Sequence, residues 1–179
     1  MTYREQLRWL AFDNHGIVTT KQAAAANIPA VEVRKLAARG ALTRLGHGVY
    51  RMEEAPVTPR THYAEALALV GEGAALADES VLDVHGLALV NPRAVQVTVG
   101  RRVRAKLPDT VDLVHHAPLE HLEYVDGLPT MPLRDALLAC RGRVMRERLI
   151  EATREAAASG DLDPSDADDV LHQLSGATA

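Results

Sequence analysis

The stretch GIVTTKQAAAANIPAVEVRKLAARGALTRLGHGVYR, residues 16–51, decides the fold of the N-terminal part of the chain. Thr19 stands three residues before Gln22, and an alanine run follows. A threonine followed at this spacing by a glutamine is typical of a capping box, and alanine has the highest helix propensity. The pattern predicts a helix over about 20–26.

A second helix is predicted immediately after the first. Pro29 stands where proline fits the first turn of a helix, and Gly40 stands where glycine commonly ends one. The segment between them has apolar residues at helical spacing, which predicts a helix over about 29–39.

Two short strands and one further helix complete this region. Residues 42–45 and 49–51 alternate as strands do, and Gly46-His47-Gly48 supplies the turn of a hairpin. Upstream, residues 3–14 have helical periodicity that ends at His15-Gly16.

This order of elements is that of a winged helix-turn-helix, in which the last helix enters the major groove of DNA and the wing lies on the backbone. On that helix Val33, Leu36 and Ala37 share one face, which we expect to pack inward, so the opposite face would meet DNA. Arg34 suits a guanine edge, whereas Lys35 suits a phosphate. The residues predicted to contact DNA are Thr20, Lys21, Val31, Arg34, Lys35, Ala38, Arg39, Arg44, His47 and Arg51.

The distribution of charge agrees with this interpretation. The chain has a net charge of −4, but residues 1–52 carry eight Lys or Arg and three Asp or Glu, a net charge of +5. Residues 53–179 carry twelve basic and twenty-one acidic residues, a net charge of −9. The basic surface that nucleic acid requires is therefore confined to the N-terminal third.

The remainder predicts a mixed α/β domain, so the fold class is α+β. Residues 53–61 contain two prolines and no apolar period, which indicates a linker and places the domain boundary between residues 55 and 56. The acidic end, from Asp161 to Asp169, is either a solubilising tail or a DNA mimic, and a short helix follows around Val170–Leu174. Helices are predicted near 61–70, 78–86, 133–140 and 143–158, and strands near 94–99, 111–116 and 122–126.

Residues 16–51 also resemble the N-terminal domain of AbiEi-type antitoxins of type IV toxin–antitoxin systems. The similarity lies in a Gly-Ile-Val-Thr opening, an alanine-rich helix, a helix that ends Arg-Gly-Ala-Leu, and a wing that closes on Gly-Val-Tyr-Arg. A weaker likeness continues through ALADESVLDVHGL (75–87), VQVTV (95–99) and GLPTMPLRDALLAC (127–140).

The resemblance implies a protein of two functions. Its N-terminal domain would repress its own operon by binding repeats in operator DNA, and its C-terminal domain would counter a nucleotidyltransferase-type toxin, with or without direct contact. Two alternatives remain. One is a stand-alone transcription factor whose C-terminal domain senses a ligand. The other is a nuclease or other enzyme guided by the winged helix; it would need a cluster of acidic residues with a lysine, and no such cluster is recognisable in the sequence.

Further candidate sites have competing interpretations. Arg101, Arg102, Arg104 and Lys106 form a basic run that is either a solvated loop or a second nucleic-acid or toxin contact. The histidines and glutamates of residues 115–123 lack the spacing of a metal site. Asp78 and Glu79 are interpreted as the N-cap and first turn of a helix rather than as an acid/base pair.

Other sequence features bound the function. Cys140 lies in an apolar helical pattern and is expected to be buried, and no disulfide can form within one chain. No apolar run is long enough for a membrane span, and no signal peptide is recognisable, so we expect a cytoplasmic protein. The sequence predicts no catalytic residue, no metal and no cofactor.

Overall fold

The computed structural model describes residues 1–176 and divides into two units, Met1–Glu72 and the chain from Gly73 onward. Helices and two small sheets, of three and five strands, make up the fold, which confirms the α+β class. No helix in the described part of the chain combines the length and apolarity of a membrane span.

The first unit contains four helices, each of which the sequence predicts, and the predicted hairpin, together with one strand that the sequence did not predict. Its sheet is antiparallel in the order β1-β3-β2. The unpredicted strand, β1, is only three residues long and pairs with β3. The elements are α1 (Tyr3–Asp13), β1 (Ile17–Thr19), α2 (Thr20–Ala25), α3 (Ala30–Ala38), β2 (Leu42–Gly46), β3 (Val49–Met52) and α4 (Thr61–Val70).

Local chemistry fixes where these elements begin and end. The predicted capping box of α2 is present: Gln22 N donates to Thr19 Oγ1 over 3.1 Å, and Thr19 N donates to Gln22 Oε1 over 2.9 Å. After α1, His15 and Gly16 take positive φ angles of 52° and 91°, which turns the chain into β1. The core beneath these elements consists of Leu7, Ala11, Val18, Ala23, Ile28, Val33, Leu42, Tyr50, Met52 and Ala55.

The segment 53–61, predicted to be a linker, lies against the first unit. Ala55 is buried in the core of that unit, and Thr61 Oγ1, at the start of α4, donates to the carbonyl of His15 over 3.1 Å. Leu69 on α4 approaches the β2–β3 hairpin at Gly46. Because α4 packs on the three-stranded sheet, the first unit extends to Glu72, beyond the boundary expected from the prolines. The division of function at residue 55 stays a prediction.

The second unit is a five-stranded mixed sheet with four helices in its described part. The strand order is β6-β5-β4-β8-β7, with parallel pairs at β4–β8 and β5–β6 and antiparallel pairs elsewhere. The elements are β4 (Ala75–Leu76), α5 (Glu79–His85), β5 (Val95–Thr98), β6 (Val111–Leu113), β7 (Glu123–Val125), β8 (Leu128–Thr130), α6 (Leu133–Ala139), α7 (Arg146–Ser159) and α8 (Pro164–Ser175).

The predicted apolar stripe of α6 is confirmed, since Leu133, Ala136, Leu137 and Cys140 are all fully buried. The sequence missed β4 and β8, which are two and three residues long. It also extended the strand at 111–116 too far, because β6 ends at Leu113 and the two histidines that follow lie in a loop.

The acidic end belongs in part to a regular helix. α8 buries Ala167, Val170 and Leu174 on one side, and Arg134 forms ion pairs with Asp166 and Asp169 on the other. The predicted short helix is therefore longer than its apolar residues suggested, because its first turns carry the acidic residues.

Candidate nucleic-acid interface

Helix α3 presents the two faces that the sequence predicts. Val33 is fully buried, and Leu36 and Ala37 pack against the same core. The opposite face is exposed: even the apolar side chain of Val31 on this face is 44 % exposed. The exposed residues among the predicted α3 contacts are Val31, Arg34, Lys35, Ala38 and Arg39.

The cations of this face differ in their surroundings. Lys35 Nζ lies 2.8 Å from Glu32 Oε1, an exposed pair of the kind that contributes little to stability. Arg34 and Arg39 form no ion pair with any residue in the range 1–176. Their guanidinium groups are thus accessible to a ligand that carries negative charge.

The hairpin of β2 and β3 adds a second set of predicted residues. Arg44 and His47 are exposed, and Arg44 Nε donates to the carbonyl of Gly46 over 3.2 Å. Arg51 is partly buried, with Nη2 3.7 Å from Glu53 Oε1, so part of its charge is already compensated.

The start of α2 is hydrogen-bonded to the turn of the β2–β3 hairpin. Thr20 N donates to the carbonyl of Gly48 over 2.8 Å, and a Cβ at Gly48 would lie 2.6 Å from Thr20 Oγ1. Gly48 also has a positive φ of 69°, so this close approach requires glycine. Thr20 is partly buried here, while its exposed neighbour Lys21 forms an ion pair with Glu72. Thr20 and Lys21, which the sequence predicts to contact DNA, therefore also make contacts within the first unit.

The second basic run lies in the loop between β5 and β6. Arg101 and Arg102 line a cavity together with His115 and His116. Arg104 and Lys106 are exposed on the same loop and do not line the cavity. The structure thus separates the four cations into two pairs.

The prediction that Asp78 caps α5 is wrong for its side chain. Asp78 occupies the N-cap position with φ 51° and ψ −127°, but the helix N-terminus receives Gln96 Oε1 instead, which accepts from Glu79 N over 2.9 Å. The Asp78 carboxylate, 4 % exposed, lies between an imidazole and a guanidinium: Oδ1 is 2.6 Å from His116 Nε2 and Oδ2 is 2.5 Å from Arg143 Nη2. We call these three residues the Asp78 cluster.

The Asp78 cluster affects the groups near it. The hydrogen bond that Arg143 donates to the Asp78 carboxylate raises the pKa of the Arg143 guanidinium. Burial raises the pKa of the Cys140 thiol to about 12, and the negative charge of Asp78 adds to this effect. No sequence signal identified the cluster, because its members lie far apart in the chain.

The histidines and glutamates of residues 115–123 form no metal site in the described chain. Among residues 1–176 no three side chains of His, Cys, Asp or Glu lie together so that they could hold a metal ion.

Part of the chain matches a known protein family. Residues 5–52 match the model of a family described as "Transcriptional regulator, AbiEi antitoxin". The matched segment starts in α1 and ends with β3, which confirms over these residues the resemblance found in the sequence. No curated protein matches the chain.

Proposed function

We propose that this chain is a transcriptional autorepressor that binds operator DNA through α3 and the β2–β3 hairpin, and that it is also the antitoxin of a toxin–antitoxin pair. The observation that carries the proposal is the outer face of α3, which is exposed and basic within a segment of net charge +5. The same segment matches a family of transcriptional regulators.

The proposed contacts follow from side-chain chemistry. Arg34 donates two hydrogen bonds to the O6 and N7 atoms of a guanine in the major groove, and Val31 contacts a thymine methyl. Lys35 and Arg39 meet phosphates, while Arg44 and His47 contact the backbone beside the wing.

The first test measures binding of the full-length protein to DNA from upstream of its own gene by fluorescence anisotropy. Affinity is expected to fall steeply between about 50 and about 200 mM salt, because phosphate contacts release counterions. Arg34→Ala should cost about 1–3 kcal/mol on the specific site and relax the preference for one base pair. Arg44→Ala should weaken all sequences alike and lower the salt slope by about one.

Arg154→Ala is the matched control, because Arg154 is an exposed arginine on α7, outside the proposed interface. Its affinity should equal that of the unmodified protein. Equal losses for all three variants would show that only net charge matters, and indistinguishable effects of Arg34→Ala and Arg44→Ala on specificity would refute the division of roles.

The antitoxin role is tested by separating it from repression. We propose that the second unit, with a net charge of −6 over residues 73–179, counters a nucleotidyltransferase-type toxin. Arg34→Ala with Lys35→Ala should abolish repression of a reporter but still protect cells that express the toxin. Charge removal at exposed positions costs little stability, so loss of repression would not reflect unfolding. A folded, abundant double variant that fails to protect would show that protection also works through DNA.

A second candidate function is a regulator whose second unit senses a small ligand. The cavity beside Arg101 and Arg102 favours it. A reading frame for a nucleotidyltransferase immediately downstream of the gene would favour the antitoxin function. The absence of such a reading frame, together with a ligand bound to the second unit, would favour the ligand-sensing regulator.

A further inference from the structure

A cavity of about 590 Å³ lies in the second unit, beside the end of β5 and the loop that follows β6. Its polar lining includes Thr98, Arg101, Arg102, His115 and His116. Sites for small molecules commonly have volumes of about 300–1,000 Å³. The volume is therefore that of a small-molecule site, and the polar lining is basic.

The remaining wall of this cavity is apolar. Val99, Pro118, Leu119 and Leu122 contribute to it. A pocket with apolar walls and a few convergent polar groups is the usual form of a small-molecule site, in which the walls bind the body of the ligand and the polar groups fix its orientation.

The charge of the cavity is opposite to that of the unit that contains it. Residues 73–179 carry eleven Lys or Arg and seventeen Asp or Glu, yet no carboxylate of the described chain lines this cavity. A neighbouring cavity of about 760 Å³ shares His116 and Leu119 but has an acidic lining. The acidic residues of that neighbour are Glu120, Glu123, Asp135, Asp166 and Asp169. Arg134 also lines that neighbour, where it pairs with Asp135, Asp166 and Asp169, so five carboxylates face one guanidinium. An anion is therefore favoured in the first cavity over the second.

The Asp78 cluster holds one wall of the first cavity, the one lined by Arg101 and Arg102, because it includes His116. His116 Nε2 lies 2.6 Å from the buried Asp78 carboxylate, which also accepts from Arg143. Asp78 takes φ 51° without being glycine, a strained backbone state that is concentrated at ligand sites. The imidazole thus has a fixed position before any ligand arrives.

We propose that this cavity binds a nucleoside monophosphate, with the phosphate on Arg101 and Arg102 and the base against Leu119 and Leu122. Arginine presents a planar set of donors that matches phosphate oxygens, and the apolar wall suits the flat face of a base. The inference concerns the second unit alone and holds whether or not the first unit binds DNA.

The test is calorimetric titration of the full-length protein with AMP, GMP, CMP and UMP, and with adenosine and inorganic phosphate as partial ligands. At least one of the four nucleotides should bind more tightly than both adenosine and inorganic phosphate. Arg101→Ala with Arg102→Ala should weaken that binding at least about tenfold, since the phosphate loses its charge-assisted hydrogen bonds to both guanidinium groups. Arg104→Ala with Lys106→Ala removes the same charge from the same loop outside the cavity and should change the affinity less than about twofold.

Three outcomes would overturn the proposal. One is that no nucleotide binds to the folded protein. Another is that both double variants lose affinity equally, which would indicate attraction to the loop in general. The third comes from short oligonucleotides with and without a 5′-phosphate: if only the phosphorylated strand binds and no free nucleotide does, the ligand is a strand end rather than a small molecule.

Discussion

Replacement of Gly48 by alanine should destabilise the first unit more than the same replacement at Gly40. Both glycines have positive φ angles, 69° and 76°. A Cβ at Gly40 would meet no atom within 4 Å, whereas one at Gly48 would lie 2.6 Å from Thr20 Oγ1. Gly40→Ala therefore measures backbone strain alone, and Gly48→Ala measures strain together with a steric clash.

The magnitudes follow from these two contributions. The left-handed conformation costs an alanine about 1–2 kcal/mol, offset by about 0.4–1 kcal/mol from the stiffer unfolded chain, so Gly40→Ala should cost about 1 kcal/mol. Gly48→Ala should cost about 1–3 kcal/mol more, as overpacking does. The clash cannot be relieved by separating α2 from the β2–β3 hairpin without losing the 2.8 Å hydrogen bond from Thr20 N to the Gly48 carbonyl.

A double variant isolates the clash. Thr20→Ala removes Oγ1 and leaves Thr20 Cβ, 3.8 Å from the new Cβ, at an ordinary contact distance. Gly48→Ala with Thr20→Ala should therefore recover most of the additional loss. The assay is urea unfolding followed by circular dichroism, with hydrogen exchange of the β3 amides to assign the change to the first unit. If Gly40→Ala and Gly48→Ala differ by less than about 0.5 kcal/mol, or if the double variant recovers nothing, the reasoning is refuted.

Three further predictions concern single residues. Because the Cys140 thiol keeps its proton to about pH 12 when folded but loses it near 9.0 when unfolded, stability should fall with rising pH between these values. The slope should reach about 1.4 kcal/mol per pH unit and be absent from Cys140→Ala, as measured by urea unfolding across the range; parallel slopes would contradict this. Asp78→Asn should lower the free energy of unfolding by about 2–3 kcal/mol. This is less than the loss of two buried charge-assisted hydrogen bonds, because the Arg143 side chain is 43 % exposed and solvent screens its interaction. An unchanged melting temperature would show that the Asp78 cluster does not stabilise the fold. Thr19→Ala should cost about 1 kcal/mol through loss of the α2 cap, whereas Thr19→Ser should retain most of it, and equal thermal stability of the two variants would exclude the cap.

The first unit could be predicted from the sequence because its signals are local. The capping box spans four residues, Thr19 to Gln22, and the pattern of Val33, Leu36 and Ala37 repeats within one helix. Each signal involves residues that also lie together in space, so reading along the chain is enough. The strand β1 escaped prediction because three residues cannot establish a period, and its existence depends on pairing with β3.

The second unit could be predicted only in part, because its decisive contacts join distant residues. Asp78 was expected to cap α5, and its position beside Glu79 agrees with that expectation. Two contacts outweigh the local preference: His116 and Arg143, 38 and 65 residues away, both reach the carboxylate. Once Gln96 accepts from the helix N-terminus, the carboxylate is free to bind the Arg143 guanidinium and the His116 ring, and a hydrogen bond to a guanidinium is stronger than one to a neutral backbone N–H.

The same contrast governs the basic residues. In α3, helical periodicity alone predicts which side chains face solvent, so the candidate DNA contacts were recognised by their spacing. In the loop between β5 and β6 no periodicity exists, and Arg101 and Arg102 differ from Arg104 and Lys106 only in what the fold places beside them. The sequence indicates that four cations are clustered, but the loop after β6 determines which two share a cavity with histidines. A surface made by one helix is therefore accessible to sequence analysis, whereas a site assembled from several loops requires the structure.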